Sequence, residues 1–141
     1  MTKLTGGCLC GAVRYQVGAP TATVACHCVN CRKQSGAAFS VNCVVPADSV
    51  ELTGQVTTYL DRGDSGNGVR RLFCGACGSP ILSELEASPN IVALKAGTLD
   101  EPARVEPTIE VFCDSAVPWA RLASCRTSFG RAPPPRPAAR P

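Results

Sequence analysis

Seven of the ten cysteines fall into three tight clusters. Cys8 and Cys10 lie in "GGCLCG", and Cys74 and Cys77 in "FCGACGSP". Cys26, Cys28 and Cys31 lie in "CHCVNC" around His27, the chain's single histidine. Cys43, Cys113 and Cys125 stand alone. Thiols this densely placed form disulfides, hold metals or do redox chemistry, and the compartment decides between these. The stretch "MTKLTGGCLCGAVRY" has a single lysine and no apolar core, unlike a secretory signal. No apolar run approaches the roughly 20 residues of a membrane helix. The expectation is a cytoplasmic protein whose cysteines bind metal.

Backbone geometry sorts the clusters. In an extended chain successive side chains point to opposite sides, so Cys8 and Cys10 can face one ion while Leu9 points away. Cys74 and Cys77 have the spacing of a zinc knuckle, with Gly75 and Gly78 permitting the tight turn. Together these four make a four-thiolate set, and thiolates select zinc or iron–sulfur over harder metals. Four thiolates close the coordination sphere, so this site should be structural; a redox Cys-x-x-Cys beside an unrelated pair is the competing reading. In the middle cluster alternation puts Cys26 and Cys28 on one side and His27 on the other. Cys31 returns after a turn, giving three thiolates and an open fourth position for water or a substrate thiol, as in a catalytic zinc site. Alternatively, Cys43 or His27 completes a second structural site.

The elements that must position these thiols are strands. "AVRYQV", "FSVNCVV", "VTTYL", "VRRLF", "PILSEL", "NIVALKA" and "IEVF" alternate or are rich in β-branched and aromatic residues. Turn formers such as "DRGDSGNG" separate them. The pattern predicts an all-β domain of short antiparallel strands, with a turn or two of helix after Cys31 and another near Trp119. The domain is expected over residues 1–129. From Gly130 the composition shifts to "GRAPPPRPAARP", which has little to bury and reads as a Pro/Arg-rich flexible tail over 130–141. Residues 1–114 hold nine Lys/Arg against eleven Asp/Glu, and the last 27 residues hold five arginines and no acid. The net charge of +3 therefore comes from the last 27 residues. Neither nucleic acid nor a membrane is an expected partner.

"GGCLCGAVRYQV", "CHCVNCRKQSGAAFS" and "FCGACGSPI", in this order and spacing, resemble the glutathione-dependent formaldehyde-activating enzyme family, which includes centromere protein V. "ALKAGTLDEP" and the segment from Pro107 to Trp119 extend the likeness to roughly residues 5–122. The resemblance implies an Mss4-like β-tent built around two zinc ions per chain. It implies a structural zinc on Cys8, Cys10, Cys74 and Cys77, and a catalytic zinc on Cys26, Cys28 and Cys31. It also implies a carbon–sulfur lyase reaction, in which glutathione or a similar thiol and formaldehyde or another small aldehyde form or release an S-hydroxymethyl adduct.

Other residues are weighed singly. Arg32, Lys33 and Ser35 follow the open cluster; the two cations suit the carboxylates of a glutathione-like substrate, and Ser35 can shape the loop. Cys43 is expected as a small buried hydrophobe, and Trp119 is expected to pack on the sheet. Two rival functions remain: a non-enzymatic zinc-stabilised binding module, and a redox or metal-buffering protein with exposed thiols.

Overall fold

The period-two runs become strands in the computed structural model, which describes residues 3–134. A small antiparallel sheet joins β1 (Leu4–Gly7), β2 (Arg14–Val17) and β5 (Glu51–Thr53), in the order β1-β2-β5. A large sheet takes β3 (Ala22–Cys26), β4 (Ser40–Pro46), β6 (Val56–Arg62), β7 (Gly68–Cys74), β8 (Pro80–Leu85), β9 (Ile91–Lys95), β10 (Ile109–Val111) and β11 (Thr127–Ser128). Its order is β11-β10-β3-β4-β9-β8-β7-β6. The all-β expectation holds, but the sheet is mixed. β10 pairs in parallel with both β3 and β11. The chain leaves β9 and crosses by residues 96–108 before it re-enters the sheet beyond β3, and only such a long connection allows strands to run parallel.

The register gives the large sheet two unlike faces. Thr23, Cys43, Leu94, Leu82 and Leu72 form one row through the pairs β3–β4, β4–β9, β9–β8 and β8–β7. This face packs against Leu4, Tyr15 and Val17 of the small sheet in the main core. Ile81 and Leu94 are fully buried there, each contributing about 1.5–3 kcal/mol. Cys43 is also fully buried, as its alternating position predicted. The opposite face is polar. Val44, Ala93, Ser83, Arg71 and Tyr59 form one of its rows, and Asn42 pairs with Lys95 in the next. Cys26 pairs with Ser40 at the end of this face.

The helix α1 (Val29–Ser35) includes Cys31 rather than following it. Cys28 caps it: its Sγ accepts the Cys31 N–H at 3.2 Å. Gly36 ends it in the left-handed region, with its N–H bonded to Arg32 O, the usual stop for a short helix. The helical turn before Trp119 is a single 3₁₀ segment, Cys113–Ser115, and that indole is 79% exposed instead of packed on the sheet. A turn closed by Ala120 N–H to Val117 O buries Ala120 in its place. Beyond β11 the chain keeps pairing: Gly130 O and Arg131 O accept from Asp114 N–H and Phe112 N–H. Most of the segment expected to be a tail, residues 135–141, lies outside the described residues. Among those described, no helix is long and apolar enough to cross a membrane.

Candidate metal and substrate site

All ten cysteines are free thiols. Cys8, Cys10, Cys74 and Cys77 bring their sulfurs within 4.8 Å of one another. Cys8 and Cys10 come from the turn after β1, Cys74 ends β7, and Cys77 follows one tight turn later. A positive-φ glycine follows each pair, Gly11 (φ 81) and Gly78 (φ 81). A left-handed residue turns the chain back around the sulfurs, and glycine adopts it without strain. Cys8 Sγ accepts the Val13 N–H at 3.2 Å, which lowers its thiol pKa. Hydrogen bonds from Ser79 bring Cys77 down to about 5.

A tetrahedron with ~2.3 Å zinc–sulfur bonds has sulfur–sulfur edges of about 3.8 Å. Here Cys8–Cys10 is 3.6 Å and Cys10–Cys74 is 3.7 Å. The four thiols fit a closed zinc site.

Cys26, Cys28 and Cys31 form a second group, all buried, with sulfurs within 4.8 Å. No fourth His, Cys, Asp or Glu joins this group among the described residues. Cys26 ends β3, Cys28 caps α1, and Cys31 sits in the first turn of that helix. Val111, Phe112 and Phe129 pack against them. This donor set of three thiols also fits zinc, with room in its coordination for a fourth ligand.

His27 turns away from the triad, as alternation predicted. It is fully buried, and its Nε2 lies 2.9 Å from Glu110 Oε1. An ionised carboxylate only accepts, so Nε2–H donates. Glu110 also accepts from the Leu122 N–H and from the Arg121 guanidinium at 3.2–3.3 Å. Although burial raises the Glu110 pKa, these bonds outweigh it and hold the carboxyl below its ordinary value. His27, Glu110 and Cys113 are near enough to form a third candidate group. The carboxylate there is already saturated with donors, so the cluster is a structural tie joining β3, β10 and the 121–122 segment.

Two residues that sequence reasoning missed face the triad. Lys95, only 5% exposed, donates from Nζ to Ser40 Oγ at 2.8 Å. Burial pushes its ammonium below the ordinary value, and the Cys31 sulfur pulls it back. Arg71, also 5% exposed, donates from Nε to Asp61 Oδ2 at 2.7 Å, and the Cys31 sulfur is near enough to help hold its charge. Asp61 is held in turn by Asn30 Nδ2 of α1 at 3.1 Å. Within the triad, the neighbouring Cys26 and Cys28 thiols lower the Cys31 pKa, and the charges of Lys95 and Arg71 add to this. Cys26 is pushed up by its two neighbours and by burial. Alternation in "VRRLF" and "NIVALKA" already places one arginine and the lysine on the face opposite the leucines. Nothing local shows that this face is covered.

Of the residues expected to bind substrate, Lys33 is exposed and Arg32 half-buried, both on α1 after Cys31. The Ser35 hydroxyl is engaged at the helix end, donating to Arg32 O and accepting the Ala37 N–H.

The family model "Glutathione-dependent formaldehyde-activating enzyme" matches residues 3–115. A Halomonas elongata protein named "Putative glutathione-dependent formaldehyde-activating enzyme" is 26% identical over 129 residues, covering 86% of this chain and 82% of its own. A Rhodobacter sphaeroides protein of known crystal structure shares the fold with a TM-score of 0.57. It is 20% identical, over 73% of this chain and 91% of that one. With the family match spanning most of its length, the chain belongs to the glutathione-dependent formaldehyde-activating enzyme family.

Proposed function

We propose that this protein is a zinc-dependent, cytoplasmic carbon–sulfur lyase-type enzyme acting on glutathione or a similar thiol and on formaldehyde or another small aldehyde. In the forward direction the thiol sulfur bonds to the carbonyl carbon, the C=O double bond becomes single, and the sulfur's proton ends on oxygen. The reverse breaks the same C–S bond. The observation that carries the reading is the triad: three buried thiols converge with no fourth protein ligand in their group among the described residues.

Cys26, Cys28 and Cys31 would hold the catalytic zinc, and Cys8, Cys10, Cys74 and Cys77 the structural one. The metal supplies thiol deprotonation and carbonyl polarisation when bound. The chain's own residues do the rest. The β3 terminus and α1 hold three sulfurs toward one point, so that two small reactants meet in fixed orientation. Lys95 and Arg71 offset the negative charge that an incoming thiolate adds. Asp61 and Asn30 fix the guanidinium against the helix. Arg32 and Lys33, on the next turn, add positive charge at the approach to the site, and Ser35 keeps the helix end closed. The folded enzyme extends to Arg131, whose carbonyl still pairs with Phe112, two residues past the boundary expected at 129.

The test is NMR exchange between isotopically labelled formaldehyde and glutathione, with zinc-loaded protein and with Cys31→Ser. Acceleration over the spontaneous reaction, lost in the variant, is expected. A protein carrying zinc at both sites that neither binds glutathione nor speeds exchange is a binding module instead.

A further inference from the structure

The edges of the two sheets are not equally guarded. In the small sheet Leu99 bridges to Gly6 and the Asp100 N–H donates to Thr5 O, which covers β1; β5 is three residues long. At one end of the large sheet β11 has two residues. At the other end lies β6, seven residues long and paired with β7 alone. Edge strands are normally blunted by proline, lysine, a bulge or a covering element, because their free N–H and C=O groups recruit other strands. From Val56 to Leu60, "VTTYL", β6 has no charge and no proline, and it pairs with β7 in unbroken register. Tyr59 is 62% exposed there and Leu60 73%.

The register says which backbone groups of β6 are free. Along an antiparallel strand, residues alternate in the direction of their hydrogen bonds. The Gly63 N–H bonds across the hairpin to Asn67 O. Gly68 and Cys74, the β7 residues opposite Arg62 and Val56, bond away from β6: Gly68 O accepts the Glu86 N–H, and the Cys74 N–H donates to Ser79 O. Thr57, Tyr59 and Asp61 therefore aim their backbone groups at β7, while Val56, Thr58, Leu60 and Arg62 aim theirs outward. Arg62 is already engaged. Its N–H donates to Asp61 Oδ1 at 2.7 Å, and its O accepts from Asn30 Nδ2 at 3.2 Å. Among the described residues of β6, that leaves Val56, Thr58 and Leu60 with an open donor and an open acceptor each.

We infer that β6 is a dimer edge, on which a second copy of this chain lays its own β6 antiparallel about a twofold axis at Thr58. Residues directly opposite in an antiparallel pair share a face, so a twofold axis normal to the sheet passes through a residue and not between two. Centred on Thr58, the open residues of the two copies meet: Val56 faces the partner's Leu60, Thr58 the partner's Thr58, and Leu60 the partner's Val56. Every open N–H then finds an open C=O. Centring on Tyr59 would set Val56 against the occupied Arg62. The side chains agree with the Thr58 register. Leu60 lies across from the partner's Val56 on the face that Leu72 shares, and Tyr59 across from the partner's Thr57 on the other face. Aliphatic and aromatic–β-branched pairs of this kind stabilise a ladder. Asp61 comes opposite the partner's Gln55, so no like charges meet. This self-complementarity favours a second copy over a strand of unrelated sequence.

The full, zinc-loaded chain is followed by sedimentation from roughly 1 μM to 1 mM protein, and by amide hydrogen exchange at both ends of that range. A monomer–dimer equilibrium is expected. The Val56, Thr58 and Leu60 amides should exchange more slowly at high concentration, and the Thr57 and Tyr59 amides should be protected at both. Thr58→Pro removes only an outward N–H, which an edge strand tolerates, and should raise the dimer Kd at least about ten-fold. Leu60→Lys, which leaves the backbone intact, should do the same. A cooperative melt and wild-type zinc content confirm that each variant folds. A chain still monomeric at about 1 mM, or a dimer that both folded variants retain, overturns the assignment. So does a dimer whose Val56, Thr58 and Leu60 amides exchange as in the monomer. A monomer whose edge amides slow only with an added strand-forming peptide of another sequence also overturns it, and makes β6 a site for a foreign strand.

Discussion

Replacing Glu110 with alanine should cost more stability than any other single change of a polar residue in this domain. The carboxylate is 2% exposed and faces His27, which is fully buried. One oxygen accepts from His27 at 2.9 Å and from the Leu122 N–H at 3.3 Å. The other accepts from Arg121 at 3.2 Å. Truncation leaves the imidazole N–H and the Leu122 N–H without acceptors. Leaving two buried donors without acceptors costs about 1–3 kcal/mol each, about 3–5 kcal/mol together. Arg121 is 50% exposed and is re-solvated, so it adds little. For a domain of this size that loss lowers Tm by roughly 10–20 °C. Glu110→Gln keeps an acceptor for His27 but loses the charge, and should cost about 1–2 kcal/mol. Urea melts of the three proteins give these differences directly. Hydrogen exchange should show the lost protection concentrated in β3, β10 and the segment from Leu122 to Phe129. A Glu110→Ala protein within about 1 kcal/mol of wild type would refute the view that this carboxylate ties β3 to the C-terminal segment.

Cys77→Ser should remove one zinc per chain by native mass spectrometry. It should also destabilise the domain by about 4 kcal/mol, the chain-entropy value for losing a cross-link over the 64 residues between Cys10 and Cys74. Gly78→Ala places a side chain at φ 81, so a loss of about 1–2 kcal/mol in melts is expected, with zinc retained. The Arg14 guanidinium holds Asp100 down at about 2. A depressed carboxyl contributes stability above its unfolded value of about 4, and that contribution disappears as pH falls through about 2. The stability gap between wild type and Asp100→Asn should therefore be constant above pH 5 and close on acidification; a gap that widens in acid would contradict the pairing.

Strand alternation and cysteine spacing were readable because both are local. "AVRYQV" and "FSVNCVV" announce their buried faces with no knowledge of their neighbours. The same rule turned His27 away from Cys26 and Cys28. What it turned toward was not readable, since Glu110 lies 83 residues on and nothing in "IEVF" marks a glutamate for burial. The parallel entry of β10 depends on a crossover whose path no short motif encodes. Arg71 and Lys95 look like solvent-facing charges in strands covered on one side only. Here α1 and the triad cover part of the second face, and that burial is a tertiary fact. Trp119 erred the opposite way: its apolar surface argued for packing, but the turn geometry offered the inward position to Ala120.

Strand β7 carries Arg71 toward the thiols and Leu72 toward the core, and its end supplies Cys74 to the four-thiol cluster. A slip of one residue would drive the guanidinium into the aliphatic core, expose the leucine to a polar face, and pull a sulfur out of reach. Each error is penalised by a different kind of physics, so no single substitution makes the slipped alignment acceptable. The β6–β7 hairpin therefore has its alignment enforced by its strands as well as by its turn.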